Sequence, residues 1–372
     1  KMSENWKVVK VGDVCVTNKR TYSLSENWDF VNYLDTGNLT QDKVNEYQKI
    51  TIGTDQLPSR ARRKVGYNDI LYSTVRPNQL HYGIVKNIVP NMLVSTGFTV
   101  ITADTEQADS DYLYYFLTQD SITETLHAIG EQSTSAYPSI KPSDIENLDI
   151  VLPSLEEQRE IGRTLRVIDE KIENNRKINH HLEQMAQAIF DDMFPNVSSG
   201  NNTIGEYIVP KRGKGLLSKE AIYGTVPVIA GGLQPATYHN QANTVAPVLT
   251  ISASGANAGF VSLWHLPVWS SDSSYIDSSM TKEVYFWYVM LKKRQNEIYD
   301  AQTGSAQPHI YPKHIESLLT IEIDTETLAA FTNQVTPLFE MIGTNIQENS
   351  RLAKLRDSLL PKLMSGEISV SD

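Results

Sequence analysis

The sequence contains a single cysteine, Cys15, among 372 residues, which excludes an internal disulfide and a zinc site built on several thiolates. It has no apolar run of about 18 residues, the length that a membrane-spanning helix needs. The opening stretch, KMSENWKVVK, lacks the apolar centre of a signal peptide. We therefore expect a cytoplasmic protein without a membrane partner.

Motifs that would mark an enzyme are also missing. No two of the 16 prolines are adjacent, which excludes the N-P-P-Y and D-P-P-Y signatures of amino-methyltransferases. The sequence has no G-x-x-x-x-G-K-[ST] loop, no strand-borne G-x-G-x-x-G, and no H-E-x-x-H among its eight histidines. We expect a non-catalytic chain that binds no metal or cofactor itself. A catalytic site assembled from scattered residues stays open as an alternative.

What the sequence does contain is an internal repeat. The segment STSAYPSIKPSDIENL begins at Ser133, and its counterpart TGSAQPHIYPKHIESL begins at Thr303, an offset of 303 − 133 = 170 residues. Upstream, YLYYFL (112–117) corresponds to YFWYVM (285–290), and ILYSTVRPNQLHYGIV (70–85) corresponds loosely to VLTISASGANAGFV (248–261). The two aromatic segments are apolar at nearly every position and are predicted to be core helices; a base-stacking platform is the alternative. A shared scaffold with diverged loops predicts two sites of similar design that bind different targets.

A long helical pattern follows each matched block. In the first, Pro153 ends a strand and Ser154 begins an S-x-x-E capping box. A helix of about 40 residues is roughly 60 Å long, too long for one small core. Pro337 is expected to kink the second helix or delay its start. The apolar heptad positions are Ile161, Leu165, Ile168, Ile172, Leu182, Ala186, Ile189 and Met193 and, 170 residues later, Phe331, Val335, Leu338, Ile342, Leu352, Arg356, Leu359 and Leu363.

Each heptad series leaves two seam positions that are filled by asparagine. Buried asparagines in a seam fix the register, because a slipped alignment leaves their amides without partners. We therefore predict that the two helices pack on each other, and a solvated helix in an ordinary helical domain is the alternative. The register residues are Asn175, Asn179, Asn345 and Asn349.

Positive charge is scarce overall but locally concentrated. The chain has 33 Lys and Arg against 44 Asp and Glu, a formal charge of −11, which taken alone argues against a nucleic-acid partner. Affinity for phosphate, however, follows the local number of cations. The polar loops GEQSTSAYPS (130–139) and TGSAQPHIYP (303–312) can contact base edges or phosphates, or can simply be turns fixed by their prolines. The candidate DNA-binding residues are Arg60, Arg62, Arg63, Lys64, Arg76, Asn78, His81, Ser133, Ser135 and Tyr137 in the first half, and Lys211, Arg212, Lys214, Ser305, Gln307 and His309 in the second.

Taken together, these segments resemble the specificity subunits of type I restriction-modification systems. The resemblance covers essentially the whole chain. It rests on the duplicated plan of module and helix and on the segments GYNDILYSTVRPNQLHYGIV, LPSLEEQREIGRTLRVIDEKI, GSAQPHIYPKHIESLLTIEI and ENSRLAKLRDSLLPKLMSGEI. It implies an α+β fold with an internal pseudo-two-fold repeat: two mixed α/β target-recognition domains, 1–153 and 195–324, separated by two long antiparallel coiled-coil helices, 154–194 and 325–372.

The resemblance also implies a function. Each recognition domain would read one half of a bipartite, asymmetric site in double-stranded DNA. Two methyltransferase subunits and the restriction subunits would be the protein partners, and S-adenosylmethionine, ATP and Mg²⁺ would be bound by those partners. A two-headed adaptor for protein or carbohydrate and a self-sufficient DNA-modifying enzyme are the alternatives.

Overall fold

A computed structural model describes residues 6–133, 137–304 and 307–370. The chain divides into two compact units, Lys1–Ile172 with Arg351–Asp372, and Glu173–Ser350. The division falls within the two long helices, so each unit contains one module and a part of both helices. The helices are α1 (Ser110–Leu117), α2 (Asp120–Glu131), α3 (Pro142–Glu146), α4 (Leu155–Met193), α5 (Val284–Lys293), α6 (Gln295–Asp300), α7 (Pro312–Glu316) and α8 (Thr325–Met364).

The first unit contains two four-stranded sheets and two short pairs of strands. One sheet has the order β2-β11-β8-β9 and the other the order β6-β3-β10-β7. The antiparallel pair β1-β12 joins the start of the module to the strand before α4, and β4-β5 is a small hairpin. The strands are β1 (Lys7–Lys10), β2 (Cys15–Thr17), β3 (Phe30–Leu34), β4 (Leu39–Thr40), β5 (Lys43–Val44), β6 (Gln48–Thr51), β7 (Ala61–Lys64), β8 (Ile70–Ser73), β9 (Tyr82–Ile84), β10 (Met92–Ser95), β11 (Phe98–Ala103) and β12 (Asp149–Leu152).

The second unit repeats this topology with fewer strands. The sheet β14-β20-β17-β18 corresponds to β2-β11-β8-β9, the sheet β16-β15-β19 to β6-β3-β10, and the pair β13-β21 to β1-β12. Among the described residues of this unit, no strand corresponds to β7. The strands are β13 (Asn202–Thr203), β14 (Lys211–Arg212), β15 (Val226–Ile229), β16 (Thr237–His239), β17 (Val248–Ser252), β18 (Val261–Trp264), β19 (Trp269–Ser270), β20 (Ser273–Asp277) and β21 (Leu319–Thr320).

The aromatic helices α1 and α5 are core elements, as predicted. In α1 the side chain of Asp109 caps the first turn by accepting hydrogen bonds from the backbone N–H groups of Asp111 and Tyr112, both at 3.0 Å. Tyr112 and Tyr115 are fully buried, and the hydroxyl of Tyr112 donates to the Val151 carbonyl at 2.6 Å. In α5 every residue from Val284 to Leu291 is buried. These rings stabilise the modules and are not available to stack on bases.

The long helices begin at side-chain caps. The hydroxyl of Ser154 accepts a hydrogen bond from the Glu157 N–H at 3.2 Å at the start of α4, which is the predicted cap. At the start of α8 the Asp324 carboxylate accepts from the Thr327 N–H at 2.8 Å. The expectation that Pro337 delays this helix is therefore wrong. The helix runs through Pro337 without a break, because the missing N–H costs one hydrogen bond while Val335 and Phe339 on either side are buried.

In each unit the two long helices pack on each other. In the first unit Ile161, Leu165 and Leu363 join one buried core, and the seam residue Arg356 forms an ion pair of 2.6 Å with Asp169. In the second unit, Asn175 Nδ2 donates to Asn349 Oδ1 at 2.9 Å and to Glu348 Oε2 at 2.6 Å. Asn345 Nδ2 donates to Asn179 Oδ1 at 2.7 Å. The sequence numbers of the partners rise in one helix as they fall in the other, so the packing is antiparallel.

Candidate nucleic-acid interface

The hairpins β8–β9 and β17–β18 have the same loop, shifted by 252 − 73 = 179 residues. In the first, the Ser73 N–H donates to the His81 carbonyl at 2.9 Å; in the second, the Ser252 N–H donates to the Phe260 carbonyl at 3.0 Å. The backbone of Arg76 has φ +49°, and the equivalent residue Gly255 has φ +83°. The correspondence between these two segments, which is loose in the sequence, is therefore residue for residue across this loop.

The polar loop of each repeat lies against the tip of this hairpin. In the first module the Arg76 N–H donates to the Pro138 carbonyl at 2.9 Å, and in the second the Gly255 N–H donates to the Pro308 carbonyl at 3.1 Å. The turn before β11 in the first module, and before β20 in the second, completes the arrangement. The Thr74 N–H donates to the backbone carbonyl of Gly97 at 2.7 Å, and the equivalent Ala253 N–H donates to the backbone carbonyl of Asp272 at 3.1 Å. We call these three loops the loop cluster of each module: 74–79, 96–97 and 137–140 in the first, and 253–258, 271–272 and 307–310 in the second.

In the first loop cluster the guanidinium of Arg76 lies over the ring of Tyr137, 4.2 Å from its centroid. Asn78 is exposed at the hairpin tip. Ser133 is tied to the cluster, since the hydroxyl of Ser133 accepts a hydrogen bond from the Ser139 N–H at 3.3 Å. The carbonyl of Arg60 accepts a hydrogen bond from the Thr96 N–H at 2.9 Å, which places Arg60 beside the same loops. The Arg60 side chain is exposed. The structure thus brings together candidates that are far apart in the sequence.

The rest of the basic segment follows β7 away from the loop cluster. Lys64 forms an ion pair of 2.5 Å with Glu26 and lies over the Trp28 ring. Arg63 is partly buried, and this burial lowers the pKa of its guanidinium. Arg62 donates from Nε to the Ser59 carbonyl at 3.4 Å. Of the four cations, only Arg60 is therefore exposed.

His81 is also held by the scaffold. Its Nδ1 lies 2.7 Å from the Leu39 carbonyl and 3.1 Å from the Thr40 hydroxyl, with Nδ1 the donor to the carbonyl. This leaves Nε2 as the ring nitrogen that could contact a ligand.

In the second loop cluster Asp272 connects two groups of candidates. Its carboxylate pairs with Arg212 at 2.6 Å and accepts a hydrogen bond from the Ser254 hydroxyl. Ser254 in turn forms a β-bridge with His309. The basic turn around Arg212 and the polar loop around His309 are therefore adjacent, although 97 residues (309 − 212) separate them in the sequence.

The remaining candidates of the second module are mostly exposed. Lys211, Lys214 and Gln307 are exposed, and the imidazole of His309 stacks on Tyr311 with 5.8 Å between ring centroids. Gly213 keeps the basic turn close to β19, because a Cβ there would lie 2.5 Å from the Ser270 carbonyl oxygen. Two candidates, Ser135 and Ser305, lie outside the described residues.

Sequence reasoning missed two residues of the second loop cluster. Asn257 occupies the position of Asn78, and a constant offset of 179 through the hairpin would have identified it. Asp272 occupies the position of Gly97, so the repeat contains no signal for it. Only the fold brings this carboxylate to Arg212.

The described residues contain neither a metal-binding cluster nor a membrane-spanning helix. Across residues 6–133, 137–304 and 307–370, no three His, Cys, Asp or Glu side chains are grouped so that they could hold a metal ion. In the same ranges no helix is both long and apolar enough to span a membrane.

Residues 3–184 match a family model described as the type I restriction modification DNA specificity domain. The type I restriction enzyme HindI specificity subunit of Haemophilus influenzae is 24% identical, over 98% of this chain and 100% of its own length. The MjaIX specificity subunit of Methanocaldococcus jannaschii is 27% identical, over 100% of this chain and 95% of its own. Over nearly its whole length the chain is similar to type I restriction specificity subunits. Specificity subunits are non-catalytic members of their complexes.

A solved specificity subunit has the same fold. The crystal structure of the type I restriction-modification S subunit from M. genitalium is similar with a TM-score of 0.57 at 19% identity, covering 98% of this chain and 97% of that one. The α+β fold with two long helices, expected from the resemblance, is therefore confirmed. The similarity to these specificity subunits also confirms the non-catalytic role.

Proposed function

We propose that this specificity subunit recognises DNA sequence for a type I restriction-modification complex. Its two modules would each read one half of a bipartite, asymmetric site and so direct the partner methyltransferase and restriction subunits to it. The similarity to specificity subunits supports this function over the two-headed adaptor and over the self-sufficient enzyme.

The observation that carries the proposal is one backbone arrangement with two sets of side chains. At three equivalent positions of the loop clusters, the first module has Val75, Arg76 and Gly97, where the second has Ser254, Gly255 and Asp272. Hydrogen-bonding side chains and cations that converge on exposed loops are what base and phosphate recognition needs. Because the two sets differ, the two halves of the recognised site would differ as well.

The roles of individual residues are part of the proposal. Phosphates would be contacted by lysine and arginine side chains, and base edges by the polar groups on the loop clusters. The phosphate contacts would be Arg60, Arg62, Arg63 and Lys64 in the first module and Lys211, Arg212 and Lys214 in the second. The candidates near base edges are Arg76, Asn78, His81, Ser133, Ser135 and Tyr137, with Ser305, Gln307 and His309. Lys64 would have to leave Glu26 to take this role.

The partners complete the proposed complex. Two methyltransferase subunits would dock on the outward faces of α4 and α8, bind S-adenosylmethionine and modify the DNA. Restriction subunits would bind ATP and Mg²⁺. The recognition domains would be 1–153 and 195–324, and the spacer helices 154–194 and 325–372. The net charge of −11 is compatible with this arrangement if the partners supply most of the positive surface around the DNA.

Salt dependence tests the proposal. The subunit is assembled with its methyltransferase, and its affinity for specific DNA is measured between roughly 50 and 200 mM salt. A complex that makes 6–10 phosphate contacts should lose roughly 10³- to 10⁵-fold in affinity. Replacing Arg60 and Arg62 with Gln should reduce the steepness of this loss, whereas Lys7→Gln, on the pair β1-β12, should leave it unchanged. Binding that does not respond to salt would favour the adaptor.

A further inference from the structure

We propose that each module presents one pre-oriented arginine that reads a guanine, Arg76 in the first module and Arg212 in the second. Tyr137 and Asp272 are the positioning residues that hold these two arginines. This inference rests on the proposed DNA-recognition function. It changes the role of Arg212 from an anchor on phosphate to a reader of a base.

In the second module the orientation comes from a chain of polar contacts. Ser254 donates its hydroxyl proton to one carboxylate oxygen of Asp272, and the other oxygen accepts from Arg212 at 2.6 Å. Both partners stay partly open to solvent, with 40% of the Arg212 side chain and 37% of the Asp272 side chain exposed. The guanidinium is therefore fixed at one edge while its other N–H groups can still donate to a ligand.

In the first module the orientation comes from an aromatic ring. The guanidinium of Arg76 lies 4.2 Å from the centre of the Tyr137 ring, and Tyr137 is 56% exposed. The backbone N–H of Arg76 is bonded to Pro138, next to Tyr137, so ring and guanidinium are held to the same loop. Stacking fixes the plane of the guanidinium and leaves its N–H edge accessible.

Charge favours a base over a phosphate as the target of Arg212. An arginine paired with a carboxylate adds little net positive charge, so the pair gains little from neutralising a phosphate. A planar donor fork held in one orientation is, however, what bidentate contact with O6 and N7 of guanine requires. The exposed neighbours Lys211 and Lys214 are better suited to bind phosphate, because the lysine ammonium is a point charge that needs no fixed orientation.

The two oriented arginines do not occupy equivalent positions. Arg76 is at the hairpin tip, where the second module has Gly255, and Asp272 is in the turn where the first module has Gly97. Arg212 comes from β14, at the edge of its sheet. The guanidinium therefore reaches the DNA from a different segment in each module, and we expect the guanine to lie at a different position in each half-site.

The test is the base preference of the assembled complex. The full chain with its methyltransferase is given DNA randomised at each half-site, and the bound molecules are sequenced. Arg212→Lys keeps the charge and removes the fork, so preference for guanine at one position of one half-site should fall roughly 5- to 150-fold. The other half-site should not change. Asp272→Asn should weaken the same position, and Arg76→Lys should act on the opposite half-site.

Tyr137 and Lys214 provide the matched controls. Tyr137→Phe keeps the ring and should keep the preference, whereas Tyr137→Ala should lose it in the first half-site alone. Lys214→Gln should weaken all sequences equally and make binding less dependent on salt. Unchanged base preference in Arg212→Lys and in Asp272→Asn would overturn the inference. If the wild-type complex itself shows no bipartite preference, the proposed function fails instead, so the two failures are distinguishable.

Discussion

Arg76 and Gly255 occupy equivalent positions with a left-handed backbone, but the free-energy cost of that conformation differs between arginine and glycine. An L-residue there is strained by about 1 kcal/mol, and glycine is not. The position is retained in both modules because the tip must turn to bond with the polar loop. At Arg76 we interpret the strain as the cost of placing a guanidinium at the tip.

Two matched substitutions test this interpretation. Arg76→Ala and Arg76→Gly both remove the contact with Tyr137, but only the glycine also removes the strain. After allowing for the greater freedom of glycine in the unfolded chain, we expect Arg76→Gly to be more stable by about 0.5–1 kcal/mol in denaturant unfolding. Gly255→Ala should lose a similar amount, since its Cβ would meet no atom within 4 Å. Equal stability of the two Arg76 variants would contradict the claim of strain.

His265 makes stability depend on pH. Its ring packs over Gly343, and burial lowers its pKa from 6.5 to about 4. Above pH 6.5 the imidazole is neutral in both states and its contribution is constant. Between pH 6.5 and 4 the unfolded chain binds a proton that the folded chain does not. Stability should therefore fall as pH falls, by at most about 1.4 kcal/mol per pH unit from this group.

The measurement compares wild type with His265→Gln across this range. Carboxylates titrate in both proteins, so the difference between their two curves isolates the histidine. The free energy of unfolding of the wild type should decline more steeply between pH 6.5 and 4. Parallel curves would show that the imidazole is not held neutral.

At the scale of elements, the seam asparagines give the most specific prediction. Asn175 is 1% exposed and donates to Asn349. Asn175→Ala should destabilise the protein by about 1–3 kcal/mol, because the Asn349 amide oxygen loses its donor in the seam. The neighbouring, exposed Asn174→Ala should change stability by less than about 0.5 kcal/mol. Thermal unfolding of the two variants provides the comparison.

The double variant separates stability from register. Replacing both Asn175 and Asn349 with Leu removes the amide donor and the amide acceptor together, and only the hydrogen bond to Glu348 is not replaced. We therefore expect the double variant to recover part of the stability lost by Asn175→Ala. If the double variant is less stable than the single one, the amide pair stabilises the folded protein in addition to fixing the register of the two helices.

The elements that the sequence could predict are those with local signals. Helix α4 lies between the capping Ser154 and Pro195, and α1 and α5 are apolar along their whole length. The antiparallel helix pair followed from two heptad series that share their asparagines. These patterns depend on residues within a few helical turns of each other, so they can be recognised in the sequence without knowledge of the tertiary contacts.

Contacts between distant segments could not be predicted. Arg166 lies outside the heptad pattern, yet it is buried and pairs with Asp111 at 2.8 Å and with Asp42 at 3.1 Å. Burial raises the pKa of Asp42, while Arg166 acts in the opposite direction. The equivalent position in the second module is Thr336, so the repeat offers no guide to this network. The pairing of Asp272 with Arg212 could not be predicted for the same reason, because the first module has Gly97 at the position of Asp272.

At the scale of the whole molecule, the proposed function predicts that helix length sets the spacing of the half-sites. One heptad added to each long helix lengthens it by about 10 Å, equivalent to about three base pairs of DNA. The modified subunit should recognise the same two half-sites with a spacer about three base pairs longer. A heptad added to one helix alone should disrupt the packing and abolish recognition. An unchanged spacer after the double insertion would contradict the role of the helices.

The central claim is that two modules of one design read two different halves of one DNA site. Mapping DNA methylation in cells that carry this subunit with its methyltransferase tests it most directly. We expect one asymmetric motif, with two short specified segments around a fixed unspecified spacer, that is lost when the subunit is omitted. A continuous motif, or a motif that persists without the subunit, would contradict the claim.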